Sequence, residues 1–140
     1  MSVEANKNLI RRFIETWNRG DLDEVARFWS PGVIHHTRAD HDVEDITSSY
    51  SVVAQAFPDL RWDIEDMIAG GDKVVTRLTG YATHKGEYLG VPPTGRRVKC
   101  RSVDISRIAG GRIVEHWGML DELHLLGQLD LLPTAYLSAM

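Results

Sequence analysis

The sequence predicts an α+β protein, with helices gathered on one face of an antiparallel sheet. Three observations predict it. Up to Phe57 the apolar residues recur at helical spacing. From Leu60 onward the spacing changes to two, as in strands. Short glycine turns then join those strands, too short for helical crossovers, so they form a meander and not parallel βαβ units.

Each element has its own signal. Leu9, Ile10, Phe13, Ile14 and Trp17 form one apolar stripe over a helix from Val3 to Asn18, and Gly20 stops it. Asp21 with Glu24 reads as the capping box of a second helix. Its buried face is expected to be Leu22, Val25, Phe28 and Trp29, with Pro31–Gly32 ending it. Val33 to His36 reads as a short strand, and Thr37 to Asp42 as a polar loop. Val43, Ile46, Tyr50, Val53 and Phe57 predict a third helix, closed by Pro58–Asp59. Trp62 and Ile64 alternate with Arg61, Asp63 and Glu65 in the first strand of the meander. Gly70–Gly71–Asp72 turns the chain into a second strand, Lys73 to Thr83. His84 to Gly95 holds three glycines and two prolines and is expected to be irregular. Strands Arg97 to Ile108 and Arg112 to Leu120 follow, joined at Ala109–Gly110–Gly111. Asp121 caps a last short helix, Glu122 to Gln128, and the tail is expected to pack on the domain or a neighbour. No repeat or linker interrupts the 140 residues, so a single domain over 1–140 is expected.

Composition narrows the function. The net charge of −4 lacks the basic cluster that nucleic acid demands. No apolar run is long enough for a membrane span, and the first residues carry no signal-peptide core, so a soluble cytoplasmic protein is expected. The lone Cys100 excludes an internal disulfide and multi-cysteine metal sites. P-loop, GxGxxG, nucleophile-elbow and HExxH motifs are absent, so a nucleotide cofactor is not expected. His35, His36 and His41 stand near Asp40 and Asp42, but adjacent strand residues point to opposite faces. No metal is therefore expected there, and one of His35 and His36 should face inward.

Strand parity groups the remaining polar residues. Ser102, Asp104 and Ser106 share one face of their strand, and His116 and Gly118 share one face of the next. Arg77, Thr79 and Tyr81 alternate with Leu78, Ala82 and His84. Such a polar face is either the solvent face or the lining of a pocket under the helices.

Three stretches carry a family resemblance: NKNLIRRFIETWNRGDLDEVARFWSPGVIHH, GYATHKGEYLGVPPTGRRV and VDISRIAGGRIVEHWGMLDELHLLGQLD. They resemble the SnoaL-like polyketide cyclases (ester cyclases) of the nuclear transport factor 2-like superfamily, over nearly the whole chain. The resemblance implies a conical α+β barrel, a curved and mostly antiparallel sheet wrapped on three helices around a pocket. It implies ring closure by intramolecular aldol chemistry on a hydrophobic, carbonyl-containing molecule, with a pocket carboxylate as acid/base and no cofactor. It also implies a homodimer or homotetramer, paired through the outer sheet face of Val103, Ile105 and Trp117.

The resemblance also places residues. The family's catalytic aspartate falls on Gly118, and its pocket histidine on the preceding strand falls on Asp104. His35 matches the position of an isomerase base on the same fold, and Arg77 the inward arginine of an epoxide hydrolase. Asp104, His116, His35 and Arg77 are therefore the catalytic candidates, with an Asp104–Arg77 ion pair as the structural alternative. Trp17, Phe28, Trp29 and Tyr50 are expected to wall the pocket, with Tyr81, His84 and Gly118 as further binding positions. His84 is expected at the pocket mouth or in solvent, and His41 and His124 at the surface. Two other readings stand beside the enzyme: a non-catalytic binding module, and a hydroxylase-type accessory member.

Overall fold

The structure, a computed structural model, describes residues 2–38, 41–42, 46–132 and 135, with the side chains of 2–36, 51–132 and 135. Helix α1 spans Val3–Asn18. The Ser2 hydroxyl accepts the Ala5 N–H at 3.1 Å and so caps it. Leu9, Ile10, Ile14 and Trp17 bury the predicted stripe. Helix α2 is short, Leu22–Ala26, with the Asp21 carboxylate accepting the Glu24 N–H at 3.1 Å.

Two expectations near α2 are corrected. Phe28 and Trp29 do not belong to the helix, because Trp29 opens strand β1 (Trp29–Arg38). Pro31–Gly32 lies inside that strand and does not terminate a helix. The pairing of β1 with its neighbour shifts between Trp29 and Ile34, so Pro31 owes no N–H to the ladder. The loop expected from Thr37 is also shorter. Thr37 and Arg38 continue β1, and β2 (His41–Asp42) folds back on it.

Helix α3 spans Ile46–Ala56; Val43 lies outside the described residues. The meander follows as expected: β3 (Arg61–Gly70), β4 (Lys73–Thr83), β5 (Arg97–Ala109) and β6 (Arg112–Leu120). Helix α4 spans Glu122–Gln128 and Asp121 caps it. The six strands make one open sheet in the order β2-β1-β6-β5-β4-β3. All neighbours are antiparallel except β1 and β6, which run parallel. Register shifts interrupt the β3–β4 pairing at Ile64/Asp66 and the β5–β6 pairing at Arg107/Ile108, where bulges bend a sheet.

The inner face of the sheet meets the helices in two apolar clusters. One joins Leu9, Ile10 and Ile14 of α1 to Trp29, Val74, Leu78, Ile108 and Ile113. The other joins Phe57 and Ala56 to Ala82, Val98, Leu125 and Leu129. On β4 Val74, Thr76, Leu78, Gly80 and Ala82 are buried on the inner face, while Arg77 and Tyr81 are exposed and point outward; Thr79, between them, is also covered. This corrects their expected inward placement. Parity allows only one of the two sets inside, and the apolar one wins the core.

The irregular segment 84–95 docks on the end of α3. The N–H groups of Lys85 and Gly86 both donate to the Ala56 carbonyl. A side chain at Gly86 would collide with the Gln55 carbonyl oxygen. Gly86→Ala is therefore expected to destabilise the fold by roughly 1–3 kcal/mol, read as a lower urea midpoint.

Candidate active site

Along the inner face of β5 the residues run apolar, polar, apolar. Val98 and Cys100 are followed by Ser102, Asp104 and Ser106, and then by Ile108. The polar strip lies between the two apolar clusters. Ser102 and Ser106 are both buried, as is Thr76 beside them on β4. The polar face is thus the covered one and not the solvent face.

Register brings the candidates together. Asp104 stands opposite Gly118, and Ser106 opposite His116. On the other side of β6, His116 stands opposite His35 of β1. Asp104 Oδ2 lies 3.6 Å from His116 Nε2. The Ser102 hydroxyl donates to Asp104 Oδ1 at 2.6 Å. The Nδ1 atoms of His116 and His35 are 2.8 Å apart, with the two rings within 8° of parallel. One of these two nitrogens carries the proton and the other the lone pair. Trp29 meets both rings edge-on, with centroids at 5.8 Å from His35 and 5.3 Å from His116.

Burial deepens along this chain. The Asp104 side chain is 24% exposed and that of His116 13%. His35 is buried. Burial, with the charge of His116 nearby, pushes the His35 pKa from the usual 6.5 down to about 4. His35 is therefore neutral in the folded protein at neutral pH. Unfolding below pH 6.5 lets it take up a proton. Its contribution to stability is present above that pH and is lost as pH falls toward 4. The urea midpoint is expected to drop more steeply across this window in the wild type than in His35→Asn.

His36 takes the opposite face, as parity requires. It stacks on Trp117 with 5.2 Å between centroids, and its Nε2 lies 3.0 Å from Glu115 Oε2. Arg77 is not brought to the site. It is exposed on the outer face, so neither a catalytic contact with Asp104 nor the alternative ion pair forms. Tyr81 also faces outward, with the Lys99 ammonium 5.8 Å from its ring centre. His84 is fully buried, neither in solvent nor at a pocket mouth. Its ring lies beside Phe57, and its Nδ1 is 3.0 Å from the Thr94 hydroxyl, so it pins the 84–95 segment. Phe28 packs edge-on against Phe13, and Trp17 is buried on α1, both in the core region. The side chains of Tyr50 and His41 lie outside the described residues. His124 is half-buried, with its Nδ1 3.3 Å from the Gln128 amide. Asp121 accepts the His124 N–H and pairs with Arg101, as a helix cap.

Sequence reading missed Ser102 as a partner of Asp104. The signal was present, since residues two apart on a strand share a face. Cys100 is buried, and burial pushes its thiol up to about 11, which leaves no thiolate at neutral pH. Beside Cys100 an apolar cavity of about 100 Å³ lies between the sheet and α3 and α4. Phe57, Leu60, Trp62, Tyr88 and Leu120 line it. A larger cleft, about 540 Å³, opens among Tyr81, Arg97 and Lys99, away from the buried acid/base groups.

A family model for SnoaL-like polyketide cyclases matches residues 7–129. The chain belongs to the SnoaL-like polyketide cyclase family. This SnoaL-like chain is 30% identical to the aklanonic acid methyl ester cyclase DauD of Streptomyces sp. (strain C5), over 87% of its own length and 80% of that protein. Among solved structures, AclR of Streptomyces galilaeus, described as a hydroxylase candidate, is 36% identical with a TM-score of 0.88. That match covers 94% of this chain and 100% of AclR. IdmH of Streptomyces antibioticus, described as a polyketide cyclase candidate, is 31% identical with a TM-score of 0.77, over 89% of this chain and 98% of IdmH. The nuclear transport factor 2-like fold expected from the sequence agrees with these neighbours. Among the described residues no helix is long and apolar enough to cross a membrane.

Proposed function

We propose that this SnoaL-like protein closes a ring in a hydrophobic polyketide ester by acid/base chemistry at Asp104 and His116. The observation that carries the proposal is the half-buried carboxylate–imidazole pair on the inner sheet face; the apolar cavity beside Cys100 lies further along the same strand. Proton abstraction beside a carbonyl needs such a base in a poorly solvated site. The cavity is below the roughly 300–1,000 Å³ of ordinary ligand sites. A fused-ring ligand would therefore extend from it along the Ser102–Asp104 strip. DauD acts on a methyl ester, and the same class of substrate is the first choice here.

The step balances without a co-reactant. The base pair removes a proton from the carbon between or beside carbonyl groups. The enolate carbon then forms a C–C bond to a second carbonyl carbon of the same molecule. The resulting alkoxide takes a proton back from the pair. Nothing is oxidised, so the product is an isomer of the substrate.

The position of Gly118 supports Asp104 as the carboxylate. A Cβ at 118 would lie 3.1 Å from His116 Cε1 and 3.7 Å from Asp104 Oδ1. An aspartate there would crowd the imidazole and face a second carboxylate. With the carboxylate moved to the facing strand, glycine leaves it room.

The test is to incubate purified protein with a polyketide methyl ester bearing two ketones, with and without oxygen. The expected product has the substrate's mass and forms equally without oxygen. A product heavier by one oxygen atom would support the hydroxylase-type reading. Tight binding with no product would support the binding module. The hydroxylase-type reading is not favoured, because the family model and DauD are both cyclases.

The outer sheet face supports a homodimer. Val103 and Met119 are exposed there, at 44% and 74%. Val75, Ile105 and Trp117 stand in adjacent ladder positions beside them. A mass near twice that of the chain by light scattering is expected, and Met119→Glu should reduce it. A monomer at micromolar concentration would contradict the assignment.

A further inference from the structure

We propose that Ser102 and His35 are positioning residues: each ties off one atom of the Asp104–His116 pair, leaving Asp104 Oδ2 and His116 Nε2 as the working atoms. The inference rests on the acid/base reading of that pair and adds which atoms act and what holds them.

Consider the carboxylate first. Ser102 Oγ donates to Asp104 Oδ1 at 2.6 Å, a short charge-assisted bond from a buried hydroxyl. The bond restrains rotation of the carboxylate and leaves Oδ2 turned toward His116. Among the described residues, the neighbouring positions on the strip offer no competing charge. They are Thr76 on β4, Ser106 on β5 and Gly118 on β6. Glu115 and Arg107 engage each other, and Glu115 also engages His36, on the opposite side of the sheet.

Now consider the imidazole. His35 Nδ1 and His116 Nδ1 share one proton across 2.8 Å. His35 is the more buried ring, and no carboxylate oxygen stands at hydrogen-bond distance from it among the described contacts. His116 has a carboxylate on its other side. A positive charge is therefore better placed on His116. An imidazolium must carry protons on both nitrogens, so His116 Nδ1 has to donate and His35 Nδ1 has to accept. If His116 Nδ1–H also persists in the neutral pair, no hydrogen bond needs to be rebuilt during a proton transfer. Only Nε2 changes its protonation. Trp29 packs edge-on to both rings and holds their planes.

The remaining gap has a meaning. Nε2 and Oδ2 are 3.6 Å apart, longer than the roughly 2.7–3.2 Å of a good hydrogen bond. The two working atoms are therefore not spent on each other. A substrate oxygen and the acidic C–H can reach both.

The test needs no substrate for its first part. Histidine ¹⁵N NMR of the free protein, assigned with His116→Gln, reads the tautomer of His116. The expected spectrum shows the proton on Nδ1 and the lone pair on Nε2. His35→Asn places an amide oxygen where Nδ1 was, and is expected to retain that tautomer; His35→Ala is expected to lose it. A wild-type His116 protonated on Nε2 with a bare Nδ1 would overturn the proposal, and the wild-type spectrum decides this even if His35→Ala does not fold. Unchanged His116 signals in a folded His35→Ala would overturn it too.

The second part is kinetic. Ser102→Ala is expected to lower kcat on the order of tenfold with KM little changed. Its acidic limb of kcat/KM against pH should move upward, because the carboxylate loses a donor. Ser102→Thr keeps the hydroxyl and should restore the profile. An unmoved limb in Ser102→Ala would remove Ser102 from the account. These outcomes are separate from the acid/base reading itself, which stands or falls on Asp104→Asn.

Discussion

Asp104→Asn is expected to lower kcat by about 10²–10⁴-fold, the usual worth of a positioned acid/base group. The substitution keeps the shape of the side chain and an oxygen for the Ser102 hydroxyl at 2.6 Å. The fold and the substrate KM should therefore change little, and thermal unfolding should confirm an intact protein. The effect falls on chemistry because the amide matches the carboxylate in shape and removes only its capacity to hold the proton. A rate within threefold of wild type would mean that the base lies elsewhere.

The second large effect is on stability. Trp29→Ala is expected to cost about 3–5 kcal/mol, as for other buried Trp or Phe truncations. Trp29 is buried in the α1 cluster, meets Phe13 edge-on at 5.4 Å, and backs both imidazoles of the site. Its removal leaves a void under the His35–His116 pair. Urea unfolding should show a lower midpoint with an unchanged slope. Activity should fall as well, since the rings lose the wall that fixes their planes. Trp29→Phe fills part of the space and should recover most of the stability but less of the rate. A stability loss below about 1 kcal/mol for Trp29→Ala would show that the core does not rest on it.

These two residues also mark how far the sequence alone reaches. Asp104 and His116 stand out through the family resemblance, and strand alternation then groups each with the polar residues of its own strand. The meander was legible for the same reason: its turns carry glycines and its strands alternate. Trp29 was misplaced because Pro31–Gly32 reads locally as a helix stop. Only the pairing of β1 with β6 shows that the proline sits at a register shift, and that pairing spans about eighty residues of sequence. The direct contact of His35 with His116 depends on the same parallel pairing. Arg77 failed for a different reason. Its inward position came from resemblance to another enzyme, while the parity of β4 puts Val74, Leu78 and Ala82 into the core instead. Ser102 shared a face with Asp104 in the sequence, but the alternation does not say which neighbours touch.

In the proposed reaction Asp104 and His116 act as one unit. A double-mutant cycle on kcat/KM for ring closure tests it most directly, with Asp104→Asn, His116→Ala and the combined variant. Each single change is expected to remove nearly the whole acid/base contribution, so the double variant is no slower than the worse single one. Two losses that multiply would show two independent groups and contradict it.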